Sequence, residues 1–137
     1  MAIKNFKLYM DEELKKFVTP EAKNELLCIW YRYMFGYIPF RSGLMASLID
    51  IPDDTKDFKI SPEAALGLAL QAIEADPENV IRFKAPYAQR QYYGDDFNFT
   101  KDLHPKAQAR FAQVALELHR EQILREFTGY ILNKNKE

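Results

Sequence analysis

Apolar residues recur at helical spacing in two stretches of the chain, alternate in one, and change face in the middle of a third. Ala22, Leu26, Ile29, Trp30, Tyr33, Met34 and Tyr37 share one broad stripe at helical spacing. TPEA at 19–22 supplies an N-cap, a proline at the first helical position and an acid at the positive end of the dipole. The predicted helix runs from Thr19 to about Phe35, where Gly36 and Pro39 stop it, and it forms the centre of the core. The same cap recurs as SPEA at 61–64, and Leu66, Ala69, Leu70 and Ile73 then make a narrower stripe ending near Asp76 and Pro77.

Between and beyond these helices the pattern changes period. Val80, Arg82 and Lys84 alternate with Ile81, Phe83 and Ala85, the signature of a half-buried strand. Pro86 ends it, since proline offers no N–H to a ladder. Tyr87, Tyr92 and Tyr93 follow, interleaved with Gln89, Arg90 and Gln91 and closed by Gly94. Phe6 to Met10 reads as a short strand and Asp11 to Val18 as a helical turn. IPFRSG at 38–43 is a loop, 44–51 is too short to decide between helix and strand, and 52–59 is an acidic turn. A polar loop over 95–102 carries Phe97 and Phe99.

The last predicted helix begins at His104 and Pro105 and reaches at least Phe127. Ala107, Phe111, Val114, Ala115 and Leu118 lie on one side of it. Leu116, Ile123, Leu124, Phe127, Tyr130 and Ile131 fall roughly opposite, at about 100° per residue. One core cannot cover both stripes of a straight helix. Either the helix breaks near His119–Gln122, or its second half packs on another subunit or partner. With no Gly or Pro in that interval, the sequence favours the second. The residues after Leu132 read as a frayed tail.

The 137 residues make one domain, 1–137, with 1–10 and 133–137 peripheral. Hydrophobic residues are 47% and charged residues 28%, and a formal charge of −1 gives no overall attraction to nucleic acid or anionic lipid. The single cysteine, Cys28, excludes an internal disulfide, and it reads as a small buried hydrophobe rather than a nucleophile. No run approaches the roughly 18 apolar residues of a membrane span, and the first residues lack an apolar leader, so synthesis in a cytoplasm is expected.

Candidate chemistry is sparse. His104 with Asp95, Asp96 and Asp102 could form a general base or a metal site, but a histidine before proline and solvated loop aspartates are the simpler reading. His119, among charged residues, reads as a surface histidine. No phosphate loop or nucleophile elbow can be assembled, so no catalytic residue, cofactor or metal is expected. Arg82, Lys84, Tyr87, Arg90, Tyr92 and Tyr93 resemble a nucleic-acid surface, where arginines neutralise phosphate and rings stack on bases. Glu74, Asp76 and Glu78 on one side and Asp95 and Asp96 on the other oppose it. A small DNA- or RNA-binding regulatory domain using that patch is the alternative reading.

Three separated segments, IPFRSGL at 38–44, APYAQRQYYG at 85–94, and His104 and Pro105 followed by Phe111, resemble in order the small minor-capsid or tail-completion proteins of long-tailed bacteriophages. PYA-x-x-x-YYG is the most specific of these. Arg41 replaces an acid usual in that family, Phe111 stands where Trp is common, and the 61–75 helix looks like an insertion. The resemblance implies an α+β fold: an N-terminal core helix, a small antiparallel sheet, the extra helix and a long C-terminal helix. It also implies a non-enzymatic head-tail connector, made in the bacterial host cytoplasm and resident in the neck of the virion. Such subunits form rings, sixfold in this reading. Their partners are copies of the chain, head-completion proteins, tail-tube or tail-terminator proteins and passing DNA, with no membrane and no small-molecule substrate. The residues expected at subunit contacts are Arg41, Tyr87, Arg90, Tyr92, Tyr93, Leu124, Phe127 and Ile131.

Overall fold

A computed structural model of the chain describes residues 6–8, 19–38, 40, 44–48, 59–84, 92–93 and 104–135. In order these form β1 (Phe6–Leu8), α1 (Pro20–Met34) running into a 3₁₀ turn (Phe35–Tyr37), α2 (Leu44–Ser47), α3 (Pro62–Ala75), β2 (Ile81–Phe83) and α4 (Phe111–Asn135). The expected turn at 11–18, the acidic turn at 52–58 and the loop at 95–102 lie outside the described residues.

Both predicted caps are present and built alike. Thr19 Oγ1 accepts from Ala22 N and Ser61 Oγ from Ala64 N, each at 3.2 Å, and each satisfies an N–H that the first helical turn cannot. Helix α1 is the hub. Besides the predicted stripe, Leu27, Cys28 and Tyr31 are also buried, because neighbours pack on more than one side of it. On one side Asn24 Nδ2 donates to Ile73 O at 2.7 Å, tying α1 to the last turn of α3. On another, Trp30 Nε1 donates to Ala112 O at 3.0 Å and anchors the start of α4. Asn24 and Trp30 are about 120° apart around α1 by helical geometry, so α3 and α4 flank it on different faces.

The short helix α2 resolves the ambiguity over 44–51 as far as Ser47. Tyr31 donates its hydroxyl to Ala46 O, and burial raises that phenol well above its ordinary pKa. Leu48, at φ 60°, then ends the helix in the left-handed region, where a branched side chain sits at a cost. Its near-complete burial supplies the compensating contacts.

Strands β1 and β2 pair antiparallel, Phe6 opposite Phe83, Lys7 opposite Arg82 and Leu8 opposite Ile81. The alternation predicted for this stretch holds over 81–84, with Ile81 and Phe83 buried and Arg82 and Lys84 partly exposed, but Val80, expected on the wet face, is buried at 2% exposure, and Ala85 lies outside the described residues. The expected small sheet is narrower than a layer, however. Among the described residues it is a ribbon of two three-residue strands, and the architecture is mostly helical.

The closing helix departs from expectation at both ends and in the middle. It begins at Phe111 rather than at His104, because Arg110 takes φ 54° and breaks the run, and its N–H goes to Tyr92 O at 2.7 Å. It continues through Asn135, past the point where the tail was expected to fray. At His119, φ −121° and ψ 18° interrupt the helix. Within the subunit the two apolar stripes are reconciled by this bend. Ile123 and Phe127 join the same core as Phe111, Ala112 and Ala115, with Tyr130 and Ile131 packed against it.

Candidate functional site

Described residues of the first two segments that carry the family resemblance, Ile38 and Phe40 in one and Tyr92 in the other, each contact the stretch from His104 to Phe111 that carries the third. Tyr37 O accepts from Gln108 N at 3.0 Å. Ile38 O, one residue on, pairs with His104 Nδ1 at 2.8 Å. Since a carbonyl only accepts, Nδ1 carries the proton in that bond. The His104 ring lies 4.7 Å from Phe35 and 4.8 Å from Phe40, centroid to centroid. Desolvation lowers its pKa, partly offset by the Ile38 bond. His104 thus joins the first loop to the segment before α4. Buried between two phenyl rings, with one ring nitrogen committed to a carbonyl, it ties these two segments together.

Phe111 is fully buried and is contacted edge-on by two rings, Phe83 at 5.4 Å and 66° and Tyr92 at 4.8 Å and 89°. Edge-to-face pairs of this kind match the positive rim of one ring to the negative face of the other. Tyr92 therefore belongs to the core, which corrects its expected place on an outer contact surface; burial also raises its phenol pKa. Tyr93 is the outward member of the pair, 52% exposed and set at 82° to Tyr92. The Arg110 guanidinium lies 6.0 Å from the Tyr93 ring centre, at the limit of cation–π range. Tyr93 and Arg110 form an exposed aromatic-basic spot directly over the junction.

The other expected contact residues divide. Leu124 is half-buried, Phe127 is buried and stacked on Tyr130 at 6.3 Å and 15°, and Ile131 is half-buried against the core. Phe127, expected to meet a partner, faces its own domain. Arg41, Tyr87 and Arg90 lie outside the described residues.

Arg82, the first member of the basic-aromatic patch, is occupied. Its Nε pairs with Asp76 Oδ2 at 3.2 Å and its Nη2 with Glu78 Oε1 at 3.1 Å. Asp76 also accepts from Glu78 N at 2.9 Å, and Asn79, at φ 55°, completes the turn. Two carboxylates already in contact with the guanidinium compete with any phosphate for it. Of the acids that sequence reading placed beside the patch, Asp76 and Glu78 thus act directly on it.

Sequence reading missed a second cluster, at the bend. Tyr37 Oη and His119 Nε2 are 2.8 Å apart. The His119 ring lies 5.2 Å from Tyr33 and 5.8 Å from Tyr37. Tyr33 in turn donates its hydroxyl to Glu126, two turns further along α4, and that bond raises the Tyr33 pKa. His119 is a partly buried hinge residue rather than a free surface histidine. The available signal was its position where the apolar stripe changes face.

Among the described residues no three His, Cys, Asp or Glu side chains group as a metal site, and no helix is long and apolar enough to cross a membrane. No protein-family model, no curated protein and no solved structure matches the chain.

Proposed function

We propose that this chain is a structural subunit of the bacteriophage neck, a minor-capsid or tail-completion protein that joins head to tail by forming a ring. The observation that carries the reading is the convergence of its three motif segments. They are far apart in sequence, and each resembles the same family. The Ile38–His104 and Tyr92–Phe111 contacts, flanked by Tyr37–Gln108 and Tyr92–Arg110, join described residues of the first two segments to the third. Segments that form one structural unit are what a shared fold requires, whereas chance matches have no reason to touch.

A ring subunit needs two different side surfaces, because head-to-tail contacts are heterologous. The large apolar side chains exposed among the described residues are Leu68 on α3, Tyr93 at the junction, and Leu118 and Leu132 on α4. Leu68 and the pair Leu118 and Leu132 lie on helices that flank α1 on different faces, as such a subunit requires. In this reading the β1–β2 ribbon is the described part of an α+β family sheet, α3 is the insertion, and the ring is sixfold. The protein acts in the virion, by assembly and without catalysis, against head-completion and tail-tube or tail-terminator proteins.

The test is Arg90→Glu combined with Tyr93→Ala, followed by sedimentation velocity. The reading predicts that the wild-type chain forms a ring at high concentration or with its partners, and that the double variant stays monomeric with an unchanged unfolding midpoint. Assembly unaffected by the double change would remove this surface from the account. Salt-dependent retention on DNA separates the nucleic-acid alternative: a steep salt slope, as counterion release requires, would favour it over the ring.

A further inference from the structure

We infer that His104 is an acid-sensitive latch: uncharged, it clamps residues 104–108 onto the turn at 35–40, and a proton on it releases that segment while α1, α3 and α4 stay folded. The inference does not depend on the ring reading. Among the described residues His104 is the one histidine, lysine, arginine or acid that is buried, at 5% exposed. Its Nδ1–H is committed to Ile38 O at 2.8 Å, and among the described residues Nε2 has no hydrogen-bond partner. Phe35 and Phe40 stand against the ring at 4.7 and 4.8 Å. The neutral ring fits this setting, with its one N–H used. A protonated ring would carry a charge and a second N–H with no acceptor for it.

Nothing described nearby offsets that charge. Of the titratable groups on the two packed elements, the turn holds Tyr37, whose hydroxyl is engaged with His119, and the 104–110 segment holds Lys106 and Arg110, both exposed and both cationic. Phenyl faces attract an imidazolium, yet desolvation outweighs what favours the proton, the Ile38 bond included. The smallest movement that hydrates the ring is local. Two hydrogen bonds, Ile38 O to Nδ1 and Tyr37 O to Gln108 N, tie 104–108 to the turn. The helices are joined elsewhere, by Trp30 to Ala112 O and Asn24 to Ile73 O, and α4 begins at Phe111, beyond the released segment. Lifting 104–108 therefore wets the imidazolium without parting the helices.

Amide hydrogen exchange in the full-length chain tests the latch, with intrinsic exchange rates divided out at each pH. The Gln108 N–H, bonded to Tyr37 O, reports the segment, and the N–H of fully buried Leu27 in α1 reports global unfolding. Protection at Gln108 should lie well below that at Leu27. Below about pH 6.5, the ordinary histidine value, it should fall by up to about tenfold per pH unit, the linkage of one proton. His104→Gln keeps a donor for Ile38 O but cannot titrate, and its Gln108 protection should stay level over the same range. In the wild type the His104 imidazole signals should move over the pH range in which Gln108 loses protection, a reading that needs no variant. Equal protection at Gln108 and Leu27 at every pH would overturn the latch, because the segment would then open only with the whole chain. So would Gln108 protection that stays constant through the His104 titration, or a His104→Gln chain that keeps the wild-type pH dependence.

Discussion

Phe111→Ala should be among the most damaging single changes in this chain, and its size can be worked from the contacts. Phe111 is 0% exposed and takes edge-on contact from Phe83 and Tyr92. Removing a buried phenyl ring costs about 3–5 kcal/mol, a range that already includes the loss of its aromatic contacts. A loss of about 4 kcal/mol is therefore expected, a large share of the roughly 5–15 kcal/mol that holds a domain folded. With a urea dependence of about 2 kcal/mol per molar, the midpoint should fall by about 2 M. The assay is built into the chain: its one tryptophan, Trp30, is buried and donates to Ala112 O, beside Phe111. Phe111→Leu, which keeps most of the volume, should lose less than about 2 kcal/mol. An alanine variant within about 1 kcal/mol of wild type would mean that Phe111 does not organise the junction, and the convergence of the three segments would lose its physical basis.

Other consequences can be measured on the same preparation. His104 has its pKa lowered by burial, so the unfolded chain binds its proton more readily than the folded one. Stability should be full above about pH 6.5, the ordinary histidine value, and fall as pH drops below it. His104→Gln should flatten that slope between about pH 7 and pH 5.5, and an identical slope in both proteins would assign it to other groups. Cys28 has its thiol pushed up to about 11, by burial first and then by Glu25 and Glu74. Against an ordinary thiol near 8.5 its thiolate population is lower by about two orders of magnitude. Ellman's reagent at pH 8 should therefore label the folded chain only as fast as it unfolds, and a labelling burst on native protein would contradict the burial. Asn24→Ala removes the side chain that bonds Ile73 O at 2.7 Å and lies 3.4 Å from Asn79 Oδ1. Thermal unfolding should register a loss of about 1–2 kcal/mol, and a neutral change would mean that α3 is held by its apolar stripe alone.

What the sequence revealed, and what it hid, follows the reach of each signal. The caps at Thr19 and Ser61 were legible because capping is a four-residue rule in which the hydroxyl, the proline and the acceptor geometry are all local. Burial of Ile81 and Phe83 was legible for the same reason, from alternation alone. The start of α4 was not. His104 and Pro105 look like a helix entrance, yet the chain stays irregular until Arg110 turns through φ 54°, with its N–H held by a residue eighteen positions away. The bend at His119 was half legible. Opposed stripes announced that a straight helix could not satisfy one core, but the choice between bend and partner depended on Tyr33 and Tyr37, more than eighty residues away. Tyr92 and Tyr93 illustrate the same limit. Composition marks both as anchors, and only the edge-on contact with Phe111 decides that Tyr92 turns in and Tyr93 out.

The proposed ring-forming neck role is most directly tested by electron microscopy of phage lysates with this gene present, deleted, and restored on a plasmid. The account predicts DNA-filled heads accumulating apart from finished tails in the deletion, and joined particles on complementation. Normal joined particles from the deletion strain would contradict the assembly role, and the salt dependence of DNA retention would then become the next measurement to read.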